Sequence, residues 1–327
     1  MRHRLFTIAS RSSSRKQPSP LASRSFSRLS SQSDRPSFGI AFDIDGVVLP
    51  GHTPIGGSPR ALRRLYDDSG KLKIPFVFLT NGGGFSESKR AQDLGQLLGV
   101  NILPSQVVDL LNVLSIDEYT SCFDSIDPLA PYKTWTTKPD IDQNSTSNDM
   151  VNRKIAVLCD KLRIGGLPGK ETGKQPHLFF ANDDLEYQAT FPAERLGMGA
   201  LRIALEAIYN RIHPIPLAYT SYGKPNPFVY GNAETMLRNL MPSLLSNLDV
   251  ENTTNSGIRC FKTLYMIGDN PKSGIRGARQ AGDPWFSILT RTGVFKGKDN
   301  HSEFPANLVM DTVEDAVNFI LRKEYGF

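Results

Sequence analysis

The sequence predicts an α/β fold, a doubly wound parallel sheet that carries a second, smaller α/β domain as an insertion. Three observations predict it. Short apolar runs of strand length alternate with amphipathic helical stretches over residues 38–98, and again over 261–322. Three of those runs end in Asp or Thr beside glycine, as strands do at the carboxyl edge where open α/β sheets bind ligands. Between the two regions the alternation weakens, which marks the insertion.

Order begins at Phe38. Phe38-Gly39-Ile40-Ala41-Phe42 reads as a buried strand and runs directly into Asp43-Ile44-Asp45-Gly46. Ser58-Pro59 reads as an N-cap followed by Pro at the first helical position, and Ala61, Leu62 and Leu65 supply the apolar face. Residues 74–79 form a second strand ending in Thr80-Asn81-Gly82-Gly83-Gly84. A helix from about Ser86 to Leu98 follows, with Gly99 near its end. Strand, helix, strand, helix in this spacing opens a parallel sheet. The C-terminal third repeats the grammar. Phe261–Ile267 is a strand closed by Gly268-Asp269-Asn270, Ser273–Ala281 a helix stopped by Gly282, Trp285–Leu289 a strand, and Thr312–Arg322 a last amphipathic helix. The insertion holds one good helix, about Ala200 to Asn210, a short strand near Leu178–Ala181, and a polar loop over 136–152. The expected division is therefore a core of residues 36–100 and 217–327, with a smaller domain at 101–216.

Composition excludes several classes. Of 327 residues, 39% are hydrophobic and 22% charged, which suits a soluble core and excludes wholesale disorder and collagen. No apolar stretch reaches the roughly 18 residues of a membrane span. Three scattered cysteines (Cys122, Cys159, Cys260) make neither a disulfide framework nor a zinc pattern. The net charge of +5 is unevenly placed. Residues 1–35 carry seven arginines and Lys16 against Asp34, a net +7, which leaves the rest at −2. A basic folded surface for nucleic acid is therefore not expected. That leader is also rich in serine, the composition of a mitochondrial transit peptide; its other reading is a disordered basic tail.

Six positions bear chemistry. Asp43 and Asp45 would point to opposite faces within a strand, but the turn at Gly46 lets both converge on one cleft. Such a pair suits a divalent cation, with one carboxylate free to attack an electrophile and the other to shuttle a proton. Thr80 and Asn81, with the amides of the turn at Gly82, can cradle a phosphate. Lys224, fixed between Gly223 and Pro225, could neutralise a transferring phosphoryl oxygen. Asp269 adds a third carboxylate at a strand end. Taken singly, each has an ordinary structural reading as a turn, a cap or a solvated lysine.

As an ordered set they resemble the haloacid dehalogenase superfamily. The matching segments are Phe38–Val47, Phe76–Gly84, Gly223–Pro227 and Leu264–Asn270. The insertion is similar to the C2 cap of the class IIA group, relatives of NagD and the p-nitrophenylphosphatases. GHTPIGGSPRAL, RLGMGALRIALEAIY, GDNPKSGIRGARQAG and WFSILTRTGVF are similar to the cat-eye-syndrome-critical-region branch. The resemblance implies an aspartyl-phosphate mechanism with Asp43 as nucleophile and Asp45 as general acid and base. It implies Mg²⁺ on Asp43, the Asp45 carbonyl and Asp269, with Thr80 and Lys224 on the phosphoryl oxygens. Asn81 and Gly82 would adjoin the substrate, as would Asn182 within Asn182-Asp183-Asp184 and near the turn Gly197-Met198-Gly199, a segment that faces the active site in class IIA relatives. The implied partners are a small phosphorylated metabolite and a second copy bound through the cap, in the mitochondrial matrix. There are two departures from the pattern. Gly274 stands where the family places a second acid, which predicts weaker Mg²⁺ binding, by about tenfold to hundredfold if that acid supports the metal's water shell. The cap is short, since residues 109–150 lack the expected βαβ unit. Both favour the alternative, a catalytically weak or silent protein of this fold that binds a ligand or partner. A dinucleotide-binding dehydrogenase is excluded because no GxGxxG follows the first strand.

Overall fold

The computed structural model describes residues 36–82, 86–109, 158–159, 162–163, 175–188, 190, 193–244 and 260–326. Residues 1–35, the polar stretch 136–152 and, apart from Asp109, the segment 109–150 where the cap is expected to be short lie outside the described residues.

The strands are β1 (Phe38–Phe42), β2 (Phe76–Thr80), β3 (Val107–Asp109), β4 (Phe179–Phe180), β5 (Glu186–Tyr187), β6 (Arg195–Leu196), β7 (Thr220–Ser221), β8 (Thr263–Gly268), β9 (Trp285–Thr290) and β10 (Leu308–Met310). The helices are α1 (Ser58–Arg63), α2 (Glu87–Leu98), α3 (Met198–Ile212), α4 (Pro227–Leu244), α5 (Arg276–Ala281) and α6 (Val313–Tyr325). Six strands form a parallel sheet in the order β10-β9-β8-β1-β2-β3. β1 lies at its centre, with Phe42 in register with Phe78 on one side and Ile267 on the other.

Alternation along β1 divides the core. Phe38, Ile40 and Phe42 face Leu62, Leu94, Leu98 and Ile320 of α1, α2 and α6. Ala41 faces the opposite layer, with Val229, Tyr230 and Leu237 of α4 and Ala278 of α5. Fully burying one such large side chain contributes about 1.5–3 kcal/mol, and both faces of the central strands are filled this way, as a parallel sheet requires. Helix ends follow local chemistry. The Ser86 hydroxyl accepts from Lys89 N, and Thr312 caps α6 by accepting from Asp315 N at 3.1 Å. Gly99 and Gly326 close α2 and α6 in the left-handed region.

Three local expectations are corrected. Ser58 is the first residue of α1 rather than its cap: Gly57 holds the cap position, and the buried Ser58 hydroxyl donates to Val48 O at 2.9 Å. The helix expected from Ser273 begins at Arg276, because Pro271–Ile275 forms a wider turn in which Arg276 N reaches Pro271 O. The core sheet also continues past residue 100. Val107 pairs with Phe78 and Val108 with Leu79, so β3 is its outer strand; three residues were too short a pattern to stand out. Thr220–Ser221, beyond the expected boundary at residue 216, pairs with Phe179–Phe180 of the inserted region, and β5 and β6 form a hairpin. Leu205 and Tyr209 of α3 pack with Phe180 and Leu217 in a separate small cluster.

Candidate active site

β1, β2 and β8 all end at one edge of the sheet, and their next residues are those the sequence singles out. Asp43 N donates to Ile267 O at 2.9 Å, which extends the β1–β8 ladder by one rung and fixes the carboxylate. One oxygen of Asp43 accepts from Ile44 N at 2.9 Å, and the other lies 2.6 Å from Lys224 Nζ. Lys224 is 1% exposed and also donates to Leu79 O at 2.8 Å. A buried ammonium is costly unless paired, and here a carboxylate and a carbonyl hold it.

The loop after β1 is shaped by Asp269. Gly46 has φ of +80°, and a Cβ built there would lie 2.3 Å from Asp269 Oδ2. At Gly293 the same distance would be 1.8 Å. Both glycines let backbone close onto this carboxylate, which accepts from Val294 N at 2.7 Å. Burial, reinforced by the Asp43 charge, pushes Asp269 up to about 7. Asp43 and Asp269 are buried carboxylates close enough for one charge to act on the other, and with the Asp45 carbonyl that the resemblance adds they would offer an all-oxygen donor set that fits a small divalent cation, completed by water. Among the described residues no group of three or more His, Cys, Asp or Glu side chains could hold a metal, so the fit rests on two side chains and a carbonyl.

Thr80 is buried, and its hydroxyl oxygen accepts from Gly82 N at 2.9 Å. Asn81 is fully engaged by protein. Its oxygen accepts from Lys224 N at 2.8 Å, its amide donates to Asp184 Oδ2 at 2.7 Å, and its carbonyl accepts from Asn182 Nδ2 at 3.0 Å. Asn81 and Asn182 thus tie the inserted segment to the core beside the site. Gly197 and Gly199 allow α3 to start against that segment, since a Cβ on either would lie 2.3 Å from a carbonyl oxygen of Asp184 or Asp183. Asp45 is partly buried. Burial first and the Asp43 charge second push it up to about 6, against the lowering pull of Arg90 and Lys224.

These groups border one cavity of about 570 Å³, walled by Asp43, Asp45, Thr80, Asn81, Gly82, Asn182 and Asp269. Lys224, fully buried, is not among the residues that wall the cavity but pairs with Asp43, which is. The cavity's outer wall is Tyr187, Leu196, Met198 and Leu201 from the β5–β6 hairpin and α3, all exposed. A second cavity of about 560 Å³ lies between β10 and α6 and contains none of these residues. The sequence reading did not single out Arg90, whose position on the first turn of α2 looks like a solvated face; its place in the cavity depends on how α2 packs.

The family model for haloacid dehalogenase-like hydrolases matches residues 40–115, and that for HAD-hydrolase-like proteins matches residues 221–316. The chain belongs to the haloacid dehalogenase-like hydrolases, a family of enzymes. It is 27% identical to a mitochondrial hydrolase of Saccharomyces cerevisiae, over 87% of this chain and 95% of that protein. It is 30% identical to a cardiolipin synthase/mitochondrial hydrolase fusion protein of Schizosaccharomyces pombe, over 87% of this chain, and spans about half (53%) of that relative. Among solved structures it resembles glycerol phosphate phosphatase of Mycobacterium tuberculosis in complex with magnesium, with a TM-score of 0.50, 17% identity, and coverage of 85% of this chain and 75% of that one. No described helix is long and apolar enough to cross a membrane.

Proposed function

We propose that the chain is a Mg²⁺-dependent phosphatase that hydrolyses a small phosphorylated metabolite through an aspartyl-phosphate on Asp43. The observation that carries this reading is the 2.6 Å pairing of buried Lys224 with Asp43, which walls a cavity that Asp45, Thr80 and Asp269 also border. Phosphoryl transfer asks mainly for in-line positioning and neutralised charge, and this set offers both.

Asp43 attacks phosphorus, the bond from phosphorus to the ester oxygen breaks, and Asp45 gives that oxygen its proton. Asp45, now a carboxylate, then takes a proton from water as the water oxygen attacks the aspartyl-phosphate, which releases phosphate and restores Asp43. Lys224 holds Asp43 in line and neutralises the phosphoryl oxygens beside it; the Thr80 hydroxyl donates to another. Asp43, Asp269 and the Asp45 carbonyl would hold Mg²⁺, which supplies further neutralisation of phosphoryl charge when bound.

The relatives named as mitochondrial, together with the Arg- and Ser-rich leader, support a mitochondrial matrix location. A reporter fused to residues 1–35 should then enter mitochondria, and a cytosolic reporter would refute it. Exposed Leu201, Ile208 and Ile212 along α3 support a homodimer through the cap, which mass measurement in solution would test. The narrower likeness to the cat-eye-syndrome-critical-region branch rests on the segments quoted above.

The deciding assay is hydrolysis of acetyl phosphate and p-nitrophenyl phosphate, with and without Mg²⁺, beside Asp43→Asn. Metal-dependent turnover lost in the variant supports the mechanism. Folded protein inactive on both esters would favour the silent, ligand-binding alternative.

A further inference from the structure

One charged side chain in the cavity has no task in that mechanism. Arg90 is the one cation among the described residues that walls the cavity, and its guanidinium makes no hydrogen bond or ion pair among them. Its Nε is out of contact with solvent and unpartnered. A buried donor left unmade is costly, and a charged one more so, which makes such an atom in a cavity wall a sign of a missing acceptor. Three polar atoms converge over Gly82: a Cβ there would be crowded by Arg90 Nη2 at 3.1 Å, Thr80 Oγ1 at 3.2 Å and Asp45 Oδ2 at 3.3 Å, so the Arg90 guanidinium and the Asp45 carboxylate flank one point of the cavity wall.

That point borders Asp45, the acid of the proposed mechanism. Asp45 protonates the ester oxygen, so what sits between Asp45 and Arg90 belongs to the alcohol beyond that oxygen. In the proposed mechanism the transferred phosphoryl group faces Asp43 and Lys224, which pair with each other, and Arg90 makes no ion pair with Asp43. None of the acids that wall the cavity hydrogen-bonds Arg90: Asp45 feels its charge only from a distance, Asp184 gives one oxygen to Asn81 and leaves the other buried without a partner, and Glu186 is on the exposed hairpin. We propose that Arg90 is a specificity-determining residue that binds a second anionic group on the substrate, so that the preferred esters carry a carboxylate or second phosphate one or two carbons from the ester oxygen. This rests on the phosphatase reading and names its substrate class.

The test is a charge series on the full-length protein with Mg²⁺. 3-Phosphoglycerate and glycerol 3-phosphate differ by a carboxylate in place of a hydroxymethyl group, and phosphoethanolamine supplies the cationic member. A charge-assisted hydrogen bond predicts kcat/KM about tenfold to hundredfold higher for 3-phosphoglycerate than for glycerol 3-phosphate. Arg90→Met should bring that ratio near one, and Arg90→Lys should keep part of it, since a point charge replaces a fork. Equal rates on the three esters, or a preference for phosphoethanolamine, would overturn the inference. So would an Arg90→Met variant that loses the same factor on every ester, because Arg90 would then grip the transferred phosphoryl group or support the fold. Acetyl phosphate separates the two readings: if it is not hydrolysed, the phosphatase reading fails. Calorimetric binding of 3-phosphoglycerate against glycerol 3-phosphate to wild type and Arg90→Met then decides the role of Arg90, with equal affinities overturning it.

Discussion

Asn81 and Lys224 are joined in both directions: Lys224 N donates to Asn81 Oδ1 at 2.8 Å, and Asn81 Nδ2 donates to Lys224 O at 3.2 Å. The same Nδ2 reaches Asp184 at 2.7 Å. One amide therefore fixes the backbone of the buried lysine and anchors the inserted segment. Asn81→Ala should lower kcat by about tenfold to hundredfold, the scale on which mispositioning acts. KM for acetyl phosphate, which is too small to reach the outer wall, should change little. Steady-state kinetics check this; an unchanged kcat would show that Lys224 is held by its other contacts alone.

Lys224 and Asp43 form a buried pair, and removing one partner leaves the other uncompensated. Lys224→Met should destabilise the protein by about 3–5 kcal/mol, and Asp43→Asn by a smaller amount, because Leu79 O still accepts from Nζ. Urea unfolding of both variants checks the order. The result also matters for assays, because the nucleophile variant must be shown to be folded before its inactivity is interpreted.

The legible part of this molecule is the part written locally. The run Phe38–Phe42 followed by Asp43 and Asp45 fixes a strand, its end and two functional groups within eight residues, so strand, edge and chemistry were read together. Asp269 and Thr80 are legible in the same way. Arg90 is not, because a charged residue one turn into an amphipathic helix has no local mark of function, and its cavity exists only once α2 packs beside β2. Asn81 shows the reverse case. Its residue type suggested contact with substrate, whereas tertiary structure commits its side chain to Lys224 and Asp184. β3 escaped because three residues carry too little pattern, although Val107 and Val108 are buried in the sheet.

Asp45 predicts a pH signature. Burial, then the Asp43 charge, raises its pKa from 3.8 to about 6, so the protonated form needed to donate to a leaving oxygen persists to higher pH than for a free carboxyl. Above about pH 6 that form declines tenfold per unit. Hydrolysis of an alkyl phosphate, whose alkoxide leaves poorly, should fall along this limb. Hydrolysis of p-nitrophenyl phosphate, whose phenolate leaves readily, should fall far less. Asp45→Asn should therefore abolish the alkyl ester reaction more completely. Identical pH profiles for the two esters would remove Asp45 from the role of acid.

Gly274 stands where the family carries a second acid, and the structure shows what an acid there would meet. A Cβ at Gly274 would lie 3.0 Å from Met266 Cε, the flexible end of a side chain, and 3.9 Å from Asp43 Oδ2. Its carbonyl is already fixed by the Tyr230 hydroxyl at 2.6 Å. Gly274→Asp therefore places a third carboxylate beside Asp43 and Asp269, where Asp269 is already pushed up by burial and by its neighbour. Without metal the added charge should destabilise the fold, by about 1–3 kcal/mol for a buried polar group lacking a partner. With Mg²⁺ the sign reverses, because the new carboxylate can support the ion's water shell. The Mg²⁺ concentration for half-maximal activity should fall by about tenfold to hundredfold. Thermal unfolding with and without Mg²⁺ reads both effects in one experiment. A variant destabilised equally in both conditions would mean that Asp43, Asp269 and the Asp45 carbonyl suffice, and that Gly274 marks a packing preference against Met266.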